Sequence, residues 1–170
     1  MDIKKILGLT ILLLALFSCM SIASAGWFDF FDDGQVENET YKFDGFSVDL
    51  PKDARIYNTT AQEDDYYRIS YYINWGNTAD GNNGSIEIDF ATGNIVKSTE
   101  ELVSKVISQG AKSEGYYGDW AILNMDGVRY SENGVLSGYM LTKVQDGKVY
   151  SLKGENLTQL KNIADTFEIY

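Results

Sequence analysis

The sequence predicts an α+β domain, a largely antiparallel sheet with one helix in the middle of the chain and one near its end. Three observations carry that expectation. Apolar and polar residues alternate over several runs, Asx-Gly pairs punctuate the second half, and two stretches of helical periodicity each open on a capping residue.

The first run, Thr40 to Phe43, turns at Asp44-Gly45 and returns as Phe46 to Leu50, with Phe46, Val48 and Leu50 on one face and Ser47 and Asp49 on the other. Pro51 has no amide hydrogen to donate, so it stops the pairing. Tyr67, Ile69, Tyr71, Ile73 and Trp75 alternate with Arg68, Ser70, Tyr72 and Asn74 in one long strand. A Gly/Asn loop, 77–84, leads into its partner, Ser85 to Phe90. There Ile86, Ile88 and Phe90 face one way and Glu87 and Asp89 the other.

Ser98-Thr99-Glu100-Glu101 reads as a capping box, in which Ser98 accepts from an orphan amide of the first turn and Glu101 reaches back to the Ser98 amide. The helix it opens has Leu102, Val103, Val106 and Ile107 as its apolar stripe and Gly110 as its stop. Short strands follow: Trp120 to Met125, Val128 to Glu132, Val135 to Val144 and Val149 to Lys153. They are separated by Asp126-Gly127, Asn133-Gly134 and Asp146-Gly147, pairs that suit type I′ turns because both central residues need positive φ. Asn156 caps a short helix carrying Leu157, Leu160, Ile163 and Ala164, and Thr166 to Tyr170 is the last strand.

Ahead of this domain, Lys4 and Lys5, an apolar run from Ile6 to Phe17 and Ala23-Ser24-Ala25 have the three-part layout of a secretory signal peptide. The expected organisation is a signal over 1–25, a leader over 26–39 and the domain over 40–170. Two other fates stay open. The uncharged stretch from Ile6 to Gly26 is about 20 residues, long enough for an uncleaved anchor. Cys19, after Leu16-Phe17-Ser18, sits as in a lipoprotein box, although bulky Phe17 stands where a small residue is usual. Either way the expected location is extracellular or at the cell surface.

Cys19 is the only cysteine, so a cleaved chain has neither disulfide nor thiol chemistry. Histidine is absent, which removes Ser-His-Asp and Cys-His nucleophile systems and the usual zinc sites. The formal charge of −11 argues against nucleic acid and anionic membrane surfaces as partners, since both reward basic patches.

The segments "FDGFSVDLP", "STEELVSKV", "GKVYSLKGE" and "LTQLKNIADTFEIY", in that order, resemble the PsbP-like superfamily of extracytoplasmic domains over roughly residues 40 to 170. The resemblance implies an antiparallel sheet sandwiched by helices, and a role as an extrinsic subunit or assembly factor on a membrane complex, with no shared active site to carry over. The leader "SAGWFDFF" and the Asn-rich loops are also similar to small secreted proteins of methanogenic archaea.

Among candidate sites, Asn38, Asn58, Asn83 and Asn156 each begin an Asn-X-Ser/Thr sequon. Asn58 and Asn83 rank first because both fall in expected loops, Asn38 follows, and the Asn156 side chain is wanted for its helix cap. The loop 77–84 offers hard oxygen ligands, but Ala91 stands where a calcium hand counted from Asp80 needs its bidentate Glu, so no metal site and no cofactor is expected. Glu87 and Asp89 share a strand face about 7 Å apart by the two-residue rise, a spacing that suits acid–base hydrolysis in principle; with no cleft or nucleophile beside them they read as the solvent-facing polar side that every amphipathic strand produces. The aromatics are more suggestive: Tyr66, Tyr72, Tyr116 and Tyr117 are the expected exposed binding face. The expectation is a non-enzymatic binding or accessory domain with a membrane-complex or envelope protein partner. The alternatives are a secreted carboxylate-dependent hydrolase and a structural envelope glycoprotein.

Overall fold

The structure is a computed structural model that describes residues 37–63, 66–76, 84–93, 96–128 and 136–170. The signal, Cys19, nearly all of the leader, the loop bearing Asn83, and Asn133-Gly134 with most of the strand expected before it lie outside the described residues.

Among the described residues the chain is mixed α+β, and every paired strand is antiparallel. Two sheets form where one was expected. The smaller has the order β1-β2-β10, built from β1 (Asn38–Lys42), β2 (Phe46–Pro51) and β10 (Glu168–Ile169). The larger has seven strands in the order β3-β4-β5-β9-β8-β7-β6. These are β3 (Arg55–Glu63), β4 (Tyr66–Trp75), β5 (Gly84–Gly93), β6 (Lys112–Tyr117), β7 (Trp120–Asn124), β8 (Tyr139–Gln145) and β9 (Lys148–Gly154). The two helices are α1 (Thr99–Ser108) and α2 (Leu157–Asp165).

Alternation decides what each face of the large sheet buries. Ile69, Tyr71, Ile73 and Trp75 of β4, Ile86, Ile88 and Phe90 of β5, and Tyr150 and Leu152 of β9 point to one side. There they meet Phe46, Val48 and Leu50 of the small sheet and Leu160, Ile163 and Ala164 of α2, which closes the main core. Aromatic rings fill its centre: Phe46 stacks on Phe167 at 4.7 Å, and Tyr150 meets Phe46 edge-on at 6.1 Å. The opposite side is packed by α1 over β6, β7 and β8, with Val103 and Val106 against Leu123 and Met140, and Leu102 against Ala91 and Val149.

Local expectations were met in detail at several points. The Asp146-Gly147 turn has φ of 52° and 72°, the type I′ geometry that joins β8 to β9. The Asn156 side chain accepts from the Gln159 amide at 3.2 Å, and Gly110, at φ 110°, follows the end of α1. Others need correction. In the capping box Ser98 accepts from the Glu101 amide at 3.2 Å, but Glu101 bonds the amide of Lys97 rather than of Ser98. Ile107 is exposed, one position outside the stripe that touches the sheet. Pro51 is the last rung of the β1–β2 ladder, opposite Asn38, and Ser85 to Phe90 extends to Gly93. Two edge strands, β3 and β6, occupy stretches with no expected regular structure, so Asn58 lies in an edge strand and not in a loop.

Candidate functional site

Cross-strand partners in an antiparallel sheet share a face, so the register places a row of side chains across the large sheet. Tyr57 of β3 is opposite Tyr72 of β4, Tyr72 is opposite Glu87 of β5, and Glu87 is opposite Lys153 of β9. The neighbouring row runs Thr59, Ser70, Asp89, Ser151 and Thr142. Among the described residues the main α1 contacts fall on β6, β7 and β8 and, through Leu102, on Ala91 of β5 and Val149 of β9. The tyrosine pair faces solvent, with Tyr57 63% and Tyr72 40% exposed.

Beside the tyrosines sits a charged cluster. Lys153 Nζ donates to Glu87 Oε1 at 3.1 Å and to Asp89 Oδ2, while Ser70 Oγ donates to Asp89 Oδ1 at 2.5 Å. Next along the row, Thr142 Oγ1 donates to the Tyr150 carbonyl at 3.0 Å and lies 2.8 Å from Ser151 Oγ. Ser70, Asp89, Ser151 and Thr142 are all buried. Glu87 and Asp89 therefore do not form the simple solvated face that alternation suggests.

Burial pushes the Glu87 carboxyl above its ordinary range; the Lys153 charge pulls it back and the Asp89 charge adds to the rise. For Asp89 burial acts in the same sense, but the Lys153 charge and the hydrogen bonds from Lys153 and Ser70 outweigh it, so this carboxyl lies below its ordinary range. Burial alone would lower the Lys153 ammonium. The charges of Asp89 and Glu87 reverse that and raise it.

Divergent carboxyl shifts on one strand face are the pattern of an acid–base pair. Each Asp89 oxygen also accepts a hydrogen bond, one from Ser70 and one from Lys153, and Lys153 bridges the two carboxyls. The cluster is best described as a part-buried ion-pair network that fixes the floor beside the tyrosines. Among the described residues no group of three or more His, Cys, Asp or Glu side chains is placed to hold a metal ion.

The four tyrosines expected to form one face are not brought together. Tyr72 lies in the row just described, and the side chain of Tyr66 lies outside the described residues. Tyr116 is 56% exposed on β6, at the far edge of the sheet. Tyr117 points to the opposite side, where its hydroxyl donates to both Asp165 oxygens at 2.7 Å and Lys161 lies over its ring. Tyr57 is the residue sequence reasoning missed, because its strand was not recognised. Of the sequons, Asn58 is exposed on β3 and Asn38 is exposed at the start of β1, while Asn83 lies outside the described residues. Thr40 of the Asn38 sequon donates to Asp49 at 2.6 Å.

Among the described residues no helix is long and apolar enough to cross a membrane. No family model matches the chain, and no curated protein and no solved structure is similar to it at a significant level.

Proposed function

We propose that the chain is an exported, non-enzymatic binding or accessory domain of PsbP-like architecture that meets an envelope or membrane-complex protein through the β3–β4–β5 face. The observation that carries this reading is the exposed cross-strand pair Tyr57–Tyr72. Paired aromatics held rigidly on strands offer large contact area at small entropic cost, and such residues dominate the energetics of interfaces. The neighbouring Lys153 network supports a binding role, because it ties β4, β5 and β9 together beside the tyrosine pair.

Crosslinking on intact cells, followed by recovery of this protein and mass spectrometry of what accompanies it, tests the proposal. The expected result is a stoichiometric partner that is lost in Tyr57→Ser/Tyr72→Ser and retained in Tyr116→Ser, with the melting temperature of both variants close to that of the parent. A partner that survives the double change, or no partner at all, overturns the reading. The envelope-glycoprotein alternative gains if the protein emerges alone and carries glycan on Asn38 or Asn58.

A further inference from the structure

Among the described residues each sheet ends in strands whose outer backbone groups have no partner within the sheet, and three of these four edges are blunted. Strand β10 has two residues. Strand β6 is broken by a register shift between Ser113 and Gly115 and carries Lys112 and Glu114. Strand β1 has five residues, of which Glu39 and Lys42 are charged. The fourth edge is different. Strand β3 runs nine residues in unbroken register with β4, contains no Pro, Gly or Lys, and is uncharged from Ile56 to Gln62. Residues Tyr57 to Thr60 are all exposed. A long, regular edge of this kind is a template for another strand, and natural folds rarely leave one without an occupant.

We propose that β3 pairs with β3 of a second copy of this chain, antiparallel about a two-fold axis at Thr59, joining the two large sheets into one. Self-complementarity argues for this occupant. Centred on Thr59, the pairing sets position 55 opposite position 63, Ile56 opposite Gln62, Tyr57 opposite Ala61 and Asn58 opposite Thr60. The register thus sets an Arg position opposite a Glu position at both ends and Tyr57 opposite Ala61, with β-branched Thr59 on the axis. Shifting the pairing along the strand loses both charge matches. Copies of a chain with formal charge −11 repel each other, and β3, with one Arg and one Glu, is a stretch of surface where approach costs little. In the dimer the row Glu87–Tyr72–Tyr57 continues into Ala61 and Arg68 of the second copy. The inference is independent of the tyrosine face as a partner site, since changes at 55 and 63 leave Tyr57 and Tyr72 in place.

Sedimentation velocity of the full chain in mild detergent, over a micromolar concentration series, provides the test. The expected result is a monomer–dimer equilibrium that Arg55→Glu and Glu63→Arg each weaken by about tenfold, because the two-fold axis turns two attractions into two repulsions. The double variant Arg55→Glu/Glu63→Arg restores the parent affinity to within about threefold. Only pairing between copies explains that rescue, since positions 55 and 63 of one strand are about 26 Å apart at the ordinary rise. Far-UV circular dichroism and melting temperature, unchanged in all three variants, exclude a folding defect. A monomer at every concentration, a double variant no better than the singles, or a glycan on Asn58 in protein taken from its own cells overturns the proposal.

Discussion

Lys153 holds two carboxylates at once, and its removal has consequences that depend on pH. Truncated to Met, it leaves Asp89 buried without its cation. The expected loss is about 2–3 kcal/mol, below the roughly 3–5 kcal/mol for fully buried pairs, because 29% of the Lys153 side chain still reaches water. The signs can be worked out group by group. Asp89, lowered in the fold, contributes stability that is fully present above its ordinary 3.8 and lost as the pH falls through its folded value. Lys153, raised, contributes stability below its ordinary 10.5 that is lost as the pH climbs through its folded value. Glu87, raised, acts against the fold when ionised, so stability is regained as the pH falls through its folded value toward 4.5. In Lys153→Met the unpaired Asp89 takes up a proton more readily. The deficit relative to the parent, measured by urea unfolding at a series of pH values, should therefore shrink on acidification from neutrality. A deficit that stays constant with pH would show that Lys153 acts through packing alone. None of this was visible before the strands were paired: Lys153 is 64 positions from Asp89 in the chain, and only the β5–β9 register brings them together.

Among the elements, those easiest to read from sequence are those with one buried face. Strands β4 and β5 show clean alternation because the main core lies on one side and a more polar surface on the other. Strand β3 shows none, since an edge strand with Tyr57, Asn58, Thr59 and Thr60 all exposed is under no pressure to alternate. The same applies to β6, whose bulge further breaks the period. That is why Tyr57, half of the tyrosine pair, escaped notice while Tyr72 did not. Helix α1 is legible from its Ser98 cap, and its packing is light: it has no fully buried residue and attaches through half-buried Leu102, Val103 and Val106. Such an element belongs to the low-stability end of a fold. Ser98→Ala, which removes the bond to the Glu101 amide, should cost the helix about 1 kcal/mol. Hydrogen exchange should report about a fivefold faster opening of α1 amides, with those of β4, β5 and β9 unchanged. Equal acceleration throughout the sheet would instead make α1 part of the global unfolding unit.

Over the whole molecule, the small sheet is assembled from opposite ends of the domain. Strands β1 and β2 come first, β10 comes last, and β10 pairs with β2. Around that pairing the Asp49 amide donates to Thr166 Oγ1 at 3.0 Å, the Tyr170 amide to the Gly45 carbonyl at 3.2 Å and the Tyr170 hydroxyl to the Phe43 carbonyl at 2.9 Å. Phe167 is the joint between layers, stacked on Phe46 of the small sheet and set edge-on to Trp120 and Tyr150 of the large one. The β2–β10 pairing is short and of long sequence separation, while Phe46, Val48 and Leu50 of the small sheet are buried in the core shared with the large one, so the small sheet draws its stability from that packing. Phe167→Ala should therefore destabilise the domain as one unit, by about 2–3 kcal/mol, at or below the low end for buried phenylalanine because this ring is only half-buried. Hydrogen exchange decides the matter. Amides of β2 and of central strands β5 and β9 should lose protection by the same factor, as expected when both sheets share a single core. If β1, β2 and β10 open alone, the small sheet is a separable unit docked on the large one, and the tyrosine face would then stand on a scaffold that does not depend on the chain's last strand.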